Sequence, residues 1–259
     1  MFKKVKFFSG KELEELKVLR NTKFCFFFLI LISVNILFAQ KLHIKNYTTD
    51  DGLPAAQVWC SLQDSKGYMW FGTSGGLVRF DGVEFVIYSV EDGLINNAVR
   101  SLLEDNGILW LTTYNGISKF DGKSFKNYST RDGLINGNVW CAVKHQGYLW
   151  FGTRGGLSRF DGKNFVNYTT DDGLPHNIIL FLLSDGEYLW IGTRGGGLSR
   201  FDGKAFNNFS EKDGISAKII GGLIKKNSTI WIGTSDESSL LIPLSVQNHT
   251  EFSLSIRIE

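Results

Sequence analysis

The stretch WFGTSGGLVRFDG at residues 70–82 returns as WFGTRGGLSRFDG at residues 150–162 and as WIGTRGGGLSRFDG at residues 190–203. The opening tryptophan belongs to a series with spacings of 40, 40, 40 and 41 residues: Trp70, Trp110, Trp150, Trp190 and Trp231. Phe-Asp-Gly keeps the same period, beginning at residues 80, 120, 160 and 201. Asp-Gly-Leu does so from residues 51, 92, 132 and 172, and returns as Asp-Gly-Ile at residue 213. Three markers with one period identify an internal repeat of about 40 residues.

Each repeat contains short apolar runs separated by glycine turns. In the second repeat the sequence predicts strands at residues 97–104, 108–113, 116–120 and 124–129. Helical repeats are excluded because no segment after residue 40 keeps a helical apolar spacing without a glycine break. A period near 40 with four short strands is typical of propeller blades. The fold class is therefore all-β, a β-propeller of about five four-stranded blades.

The repeated tryptophan lies in the second predicted strand. A large flat ring at this place can fill the wedge between adjacent blades, and buried aromatics contribute much of a core's stability. Since every repeat has the ring, we favour a structural role for Trp70, Trp110, Trp150, Trp190 and Trp231 over ligand stacking. The single 41-residue spacing comes from one extra glycine among residues 195–197, which we expect a loop to absorb.

The predicted domain limits follow the repeats. Residues 1–39 form a leader, the propeller covers residues 40–245, and residues 246–259 are a divergent tail. The blades span about residues 57–90, 97–130, 137–170, 177–210 and 217–245. Residues 41–49 resemble outer strands and stand before the first blade. Two alternatives stay open: this strand completes the fifth blade and closes a ring, or the ring is truncated and has unpaired strand edges.

The leader has the layout of a secretory signal. An apolar run at residues 24–38 follows a basic segment and ends at Ala39. The run is short for a membrane span, which needs about 20 apolar residues. We expect export to the periplasm or the exterior of a bacterium, with cleavage after Ala39. The alternative is an uncleaved N-terminal anchor, which would be the chain's one attachment to a membrane.

Charge and cysteine content limit the partners. Before residue 40 lie seven of the 28 basic and three of the 26 acidic residues, so the remainder carries a net charge of −2. A nucleic-acid partner is excluded, because phosphate binding needs a clustered cationic surface. Cys60 and Cys141 are 81 residues apart, in non-adjacent blades. We expect both to be buried, inert thiols and not a disulfide.

The quoted stretches, each followed by an aromatic strand and Asp-Gly-Leu, resemble the two-component regulator propeller repeat, over roughly residues 41–235. The resemblance implies the periplasmic sensor part of a hybrid histidine kinase, which responds to oligosaccharides and signals through a kinase or another partner. Complete sensors of that family carry more blades, an immunoglobulin-like domain, a membrane helix and a kinase. A fragment, a stand-alone secreted binding protein and a decayed gene therefore stay open as alternatives.

Candidate ligand-binding residues lie in two sets of loops that we expect on one face, because specificity usually resides in loops on a rigid scaffold. The loops after the second strands contribute Ser74, Tyr114, Asn115, Arg154, Arg194 and Asp236, and the loops after Asp-Gly-Leu contribute Asn96, Asn97, Asn136, His176 and Asn177. Arg154 and Arg194 occupy equivalent positions in consecutive blades and could grip a carboxylate or sulfate of an anionic sugar. The competing interpretation is solvated charges, or salt bridges to Asp171, Asp172 or Glu211.

No catalytic group is predicted. The four histidines have no repeated partner, the repeated aspartates lie in glycine turns, and no metal-ligand or phosphate-loop spacing occurs. An enzyme would need uniquely placed carboxylates or a histidine in the loops, where Asp236 and His176 are the nearest candidates. We expect no cofactor and no metal. A sensory ligand-binding propeller is preferred over a propeller lyase or glycosidase and over a protein-interaction scaffold.

Overall fold

The computed structural model describes residues 45–215, 218–227, 229–234, 242–247 and 251–254, with the last two segments as backbone only. These residues form five four-stranded antiparallel sheets, each built from four strands consecutive in sequence. The innermost strand of each sheet packs beside the innermost strand of the next sheet. The described part is therefore all-β with propeller blades, as the repeats predict. The expected leader, residues 1–39, lies outside the described residues.

The twenty strands follow the repeat. Blade 1 contains β1 (Val58–Gln63), β2 (Met69–Thr73), β3 (Leu77–Phe80) and β4 (Phe85–Tyr88). Blade 2 contains β5 (Val99–Asp105), β6 (Ile108–Thr113), β7 (Gly116–Phe120) and β8 (Phe125–Tyr128). Blade 3 contains β9 (Val139–His145), β10 (Tyr148–Thr153), β11 (Leu157–Phe160) and β12 (Phe165–Tyr168). Blade 4 contains β13 (Ile179–Ser184), β14 (Leu189–Thr193), β15 (Leu198–Phe201) and β16 (Phe206–Phe209). Blade 5 contains β17 (Ile220–Lys226), β18 (Thr229–Thr234), β19 (Ile242–Gln247) and β20 (Glu251–Leu254).

A one-turn 3-10 helix precedes each blade: Thr49–Asp51, Val90–Asp92, Thr130–Asp132, Thr170–Asp172 and Glu211–Asp213. The aspartate of Asp-Gly-Leu closes a capping box here. In the third copy, the carboxylate of Asp132 accepts from the backbone N–H of Ser129 at 2.8 Å, which satisfies a donor that a helix start leaves free. Gly133 then ends the turn at φ 99°, which a side chain would resist. The marker is thus a helix cap as well as a turn.

Trp70, Trp110, Trp150 and Trp190 pack between consecutive blades. Trp150 stacks on Tyr168 of its own blade, with ring centroids 5.7 Å apart, and meets Phe201 of the next blade edge to face at 5.5 Å. Trp110 has the same two contacts, with Tyr128 at 5.8 Å and Phe160 at 5.8 Å. The four hydrophobic clusters of the described core each join two consecutive blades in this way.

The first blade has no blade before it among the described residues. Val58 opens β1 and is 44% exposed, whereas the residues equivalent to it are 0% exposed: Val99, Val139, Ile179 and Ile220. The innermost strands pack in the series β1, β5, β9, β13 and β17, and no comparable packing joins β17 to β1 in the described part of the chain. Tyr47 packs on Phe80 and Phe85, at 5.2 and 5.3 Å. In blade 2 the equivalent phenylalanines, Phe120 and Phe125, contact Tyr88 from the outer strand of blade 1. Tyr47 therefore takes the place beside blade 1 that the outer strand of a preceding blade fills elsewhere.

The extra glycine of blade 4 stays in a loop, as expected. Thr193 Oγ1 donates to the carbonyl of Gly197, four residues on, whereas the equivalent Thr153 reaches Gly156 after three. The pairing of Leu189 with Phe201 matches that of Leu149 with Phe160, so the strand register is unchanged.

The fifth blade extends past the predicted boundary at residue 245. Strand β19 runs to Gln247, and β20, at residues 251–254, pairs with it as the fourth strand of the sheet. The expectation of a separate tail from residue 246 is wrong for residues 246–247 and 251–254, which belong to the fifth blade. The fifth repeat lacks Phe-Asp-Gly, so the sequence offered no marker for the β19–β20 hairpin. The residue 41–49 segment is therefore not needed as this blade's fourth strand.

Candidate functional site

The two sets of candidate loops lie against each other on one face. A Cβ atom added to Gly155 would come within 2.9 Å of Asn136 Cβ, and one added to Gly195 would come within 3.0 Å of the His176 ring. In blade 1 the same relation joins Gly75 to Pro54, at 2.8 Å from its carbonyl oxygen. Glycine is required at these places because the loops approach too closely for a side chain.

The position after each second strand forms an upper ring of residues that we call the rim tier: Ser74, Tyr114, Arg154 and Arg194. The backbone N–H of Arg154 donates to the carbonyl of Asn138 at 3.0 Å, and that of Arg194 donates to Ile178 at 2.9 Å. Ser74 does the same with Gln57 at 3.2 Å. Each of these three rim residues is thereby fixed above the start of its blade's innermost strand.

Arg154 and Arg194 are exposed, and neither forms an ion pair among the described residues. The salt bridges to Asp171, Asp172 or Glu211 that the sequence offered as an alternative are not formed. Asn115, beside the rim, donates its backbone N–H to Thr113 Oγ1 at 3.1 Å. Asp236, the sixth residue predicted in these loops, lies outside the described residues.

The candidates after Asp-Gly-Leu hold their own loops. Asn96 and Asn136 each accept the backbone N–H of the second residue on, at 2.9 Å, and His176 Nδ1 does so at 3.0 Å. Asn97 and Asn177 accept from the first residue of the preceding 3-10 helix, at 2.8 and 2.9 Å. Such side-chain-to-backbone bonds stabilise turns. A ligand would therefore meet these residues with one acceptor already engaged.

Below the rim, a β-bulge recurs at the second residue of every innermost strand. The ladder between β5 and β6 pairs Val99 with Thr113 and then Ser101 with Thr112, so that Arg100 has no partner in the ladder. The same register shift leaves one residue without a ladder partner in each of the other four blades. Bulges re-aim side chains and often lie near functional sites. We call the five bulged residues the inner tier: Trp59, Arg100, Trp140, Leu180 and Gly221.

Side chains from three blades converge on Arg100. Its guanidinium carbon lies 3.7 Å from the ring centroid of Trp140 in blade 3 and 5.4 Å from that of Trp59 in blade 1. Arg100 also donates a hydrogen bond to the Tyr114 hydroxyl, and its guanidinium carbon lies 4.8 Å from that ring. Trp59 and Tyr114 meet edge to face at 6.1 Å. We call these four residues the arginine–aromatic cluster.

The cluster is partly open to solvent and has no acidic partner among the described residues. Trp59 is 38% exposed and Tyr114 is 43% exposed. Within the described part of the chain, no carboxylate lies within ion-pair distance of Arg100. The cation is thus held by aromatic faces and one phenol, which leaves its charge uncompensated by these residues.

Sequence reasoning found only Tyr114 of this cluster. Trp59 and Trp140 precede the two cysteines that the sequence analysis considered, but neither they nor Arg100 were predicted as ligand contacts. A signal was present: the wedge tryptophan is the same in all five repeats, whereas the inner-tier position changes type from one repeat to the next. A position that the fold does not hold constant is a better candidate for a ligand contact than one that it does.

Three side chains outside the cluster, Cys60, Cys141 and His145, have shifted pKa values and no evident binding role. Burial raises the pKa of Cys60 to about 11 and that of Cys141 to about 12, and both are free thiols whose nucleophilic thiolate is disfavoured. Burial also lowers the pKa of His145, whose Nδ1 lies 2.8 Å from Ser184 Oγ. Within the described residues no group of three His, Cys, Asp or Glu side chains could hold a metal ion.

A cleft of about 310 Å³ opens beside the lengthened loop of blade 4. It is lined by Gly195, Gly196, Gly197, Ser210, Glu211, Ile215 and Lys218. The lining contains no aromatic ring, and the backbone N–H groups of Gly195 and Gly197 already donate to the carbonyl of Lys218, at 2.7 and 3.1 Å. The arginine–aromatic cluster therefore offers more recognition chemistry than this cleft.

The five sheets and their packing define a β-propeller, with the candidate loops on one face. The family model for the two component regulator propeller matches residues 52–75, 93–115 and 133–155. These three segments match the repeat that the sequence resembles, which confirms the resemblance. None of the curated proteins matches the chain significantly.

Solved structures show the same fold. One is the extracellular domain of BT3049 from B. thetaiotaomicron, described as a hybrid two component system, with TM-score 0.68 and 24% identity over 82% of this chain and 32% of that one. Another is the extracellular domain of BT4673, described as a one component system from the same organism, with TM-score 0.64 and 23% identity over 79% and 28%. The chain thus spans about a third of the length of these structures.

An enzyme shares the architecture as well. Virginiamycin B lyase from Staphylococcus aureus, in an inactive variant with quinupristin, matches with TM-score 0.60 and 15% identity over 82% of this chain and 73% of that one. At such identities the likeness establishes the fold alone, because one fold hosts unrelated functions.

Across the described residues, no helix reaches the length and apolar character that a membrane crossing requires.

Proposed function

We propose that this chain is an extracytoplasmic ligand-binding module of two-component-signalling type, which senses oligosaccharides through its rim and inner tiers. The observation that carries the proposal is the family match over three repeats. The likeness to extracellular domains of proteins described as hybrid and one component systems supports it. A histidine kinase or another signalling protein would receive the signal.

The geometry is suited to sensing. The rim tier draws residues from blades 1 to 4, and consecutive blades are joined by wedge packing of aromatic rings. A ligand that touches several blades binds best to one arrangement of those blades. Binding would therefore shift the population of blade arrangements, and a partner that contacts the propeller could read that shift.

Export is part of this proposal. The apolar run at residues 24–38 after a basic segment supports an exported chain, with the leader cleaved after Ala39 or kept as an anchor. Expression in a bacterium, fractionation and mass spectrometry of the N-terminus would test this. A mature N-terminus at Gln40 in the periplasmic fraction supports cleavage, an intact N-terminus in the membrane fraction supports the anchor, and an intact chain in the cytoplasm contradicts export.

Ligand binding is tested by thermal denaturation of the chain with a panel of neutral and acidic oligosaccharides. A ligand that binds the folded state alone raises its stability by mass action, by about 2.7 kcal/mol at a hundredfold excess over Kd. We expect one glycan class to raise the melting temperature and to be recovered intact. Recovery of cleaved or eliminated product would instead support a propeller enzyme. No stabilisation by any member of the panel would contradict oligosaccharide sensing and leave a protein-binding propeller.

A further inference from the structure

We propose that Trp59, Arg100, Tyr114 and Trp140 form the ligand contact, and that the ligand is an oligosaccharide that carries a carboxylate. This inference rests on the proposed function and assigns its site and ligand class. The bulges aim the inner-tier residues, and three consecutive blades bring aromatic side chains within contact of one guanidinium. The cluster is thus a product of the assembled blades.

The fold itself does not require these residues. The inner-tier position is tryptophan, arginine, tryptophan, leucine and glycine in blades 1 to 5, and all five adopt the same bulge. The wedge tryptophan, in contrast, recurs in every blade and is buried in blades 1 to 4. Aromatic and cationic side chains at a position that also accepts glycine point to a role outside folding.

The chemistry of the cluster selects the ligand. Arg100 is a permanent cation without a carboxylate partner among the described residues, and guanidinium groups bind carboxylates through paired donors. Trp59 is 38% exposed and Tyr114 is 43% exposed, so both side chains offer apolar surface to a ligand beside that charge. A pyranose ring presents an apolar face to such surfaces, and a uronate adds the carboxylate. Tryptophan, tyrosine and arginine are also the side chains that dominate binding hot spots.

The rim tier also favours an acidic oligosaccharide over a neutral one. Arg154 is the blade 3 equivalent of Tyr114, and its backbone is fixed over the start of the strand that carries Trp140. Arg154 therefore stands at the register position from which Tyr114 reaches Arg100 in blade 2. A second carboxylate of an acidic oligosaccharide would meet this exposed guanidinium, whereas a neutral glycan gains nothing from it.

The test compares tetragalacturonate with its fully methyl-esterified form, by calorimetric titration of the wild-type chain and of variants. We expect the acid to bind and the ester to bind about tenfold or more weakly, because the ester lacks the charge. R100Q should weaken binding of the acid by about tenfold or more and reduce its preference over the ester, and W140A should weaken binding of both. K163Q is the matched control, since Lys163 lies in an exposed turn at the opposite end of the blade and its loss removes one positive charge.

A conservative variant and a measurement on the wild-type chain guard against misfolding of R100Q. R100K retains the charge and loses the planar fork, and it should bind the acid with intermediate affinity. Oxidative footprinting of the wild-type chain should show tetragalacturonate protecting Trp59 and Tyr114, while exposed Tyr148 stays reactive. If an oligosaccharide binds but R100Q binds it equally and neither Trp59 nor Tyr114 is protected, this site is overturned and the proposed function stands. If no member of the panel of neutral and acidic oligosaccharides binds, the proposed function fails.

Discussion

Trp150 and Phe201 belong to consecutive blades, and their rings meet edge to face with centroids 5.5 Å apart. Trp150 is also among the largest fully buried side chains of the described core. W150A should therefore cost about 3–5 kcal/mol of unfolding free energy, the range for deleting a large buried aromatic. W231A should cost less, because Trp231 is only half-buried. Denaturant titration followed by circular dichroism measures both, with V83A as the exposed control; equal losses for the two tryptophans would refute the wedge argument.

His145 occupies a place where blades 1, 2 and 4 have an aspartate: Asp64, Asp105 and Asp185. Asp64 accepts the indole N–H of Trp70 at 2.7 Å, and Asp185 accepts that of Trp190 at 2.8 Å. In blade 3 the Trp150 indole N–H and His145 Nε2 both lack a hydrogen-bond partner among the described residues. H145N would supply a neutral acceptor and should stabilise the chain by about 1 kcal/mol, since an unmet buried donor is costly. Denaturant titration at pH 8 checks this; an unchanged or lower midpoint would contradict it.

The same histidine makes stability depend on pH. Burial lowers the pKa of His145 below its ordinary 6.5, and the nearby Asp185 carboxylate opposes this only in part. Below pH 6.5 the unfolded chain binds a proton that the folded chain resists, so the contribution is fully present above that pH and is lost as pH falls toward the folded pKa. We expect the wild-type chain to lose stability relative to H145N as the pH falls below about 6.5. Parallel pH profiles for the two proteins would contradict this linkage.

The lengthened loop of blade 4 should be dispensable to the fold. Deleting Gly196 would restore the loop length of blade 3, and the strands on either side already pair in the common register. We expect the melting temperature to change by a few degrees at most, because one loop residue alters closure entropy little. A deletion within β14, such as that of Ile191, is the contrasting control and should prevent folding, since a one-residue slip reverses every side chain after it.

The paired rim arginines give a separate prediction about affinity. Arg154 and Arg194 are exposed and lack ion-pair partners among the described residues, so their replacement should leave folding intact. The R154A/R194A double variant should weaken binding of an acidic oligosaccharide by several-fold and reduce the salt dependence of its affinity, because two screened charges are removed. Isothermal titration at low and moderate salt measures both quantities. Unchanged affinity at each salt concentration would reject the anion clamp.

Local markers made most of the architecture predictable. The second repeat's strands at residues 108–113 and 116–120 were predicted with the bounds that the structure has, and the other two differ by one or two residues at each end. Each depends on apolar runs and glycine turns that lie within a few residues of one another. The fifth blade was the exception, because its third and fourth strands carry no such marker.

The site was less accessible to sequence reasoning. Tyr114 was found because it lies in a variable loop, but Arg100 lies inside a strand and looked like an ordinary strand residue. Its position as a hub depends on a bulge and on Trp59 and Trp140, which are about one repeat away on either side. The rim residue Asp236 lies outside the described residues and stays a prediction.

The amino-acid sequence by itself determined the repeat, the four strands of the first four blades and the burial of the tryptophans in those blades, because each of these follows from a pattern read over a few adjacent residues. Only the tertiary structure decided which side chains meet. The exposure of Val58, the unmet indole of Trp150 and the convergence on Arg100 all arise between residues of different blades or different strands. Packing of one blade on the next brings such residues together, and a pattern of adjacent residues cannot predict the distance between side chains of different blades.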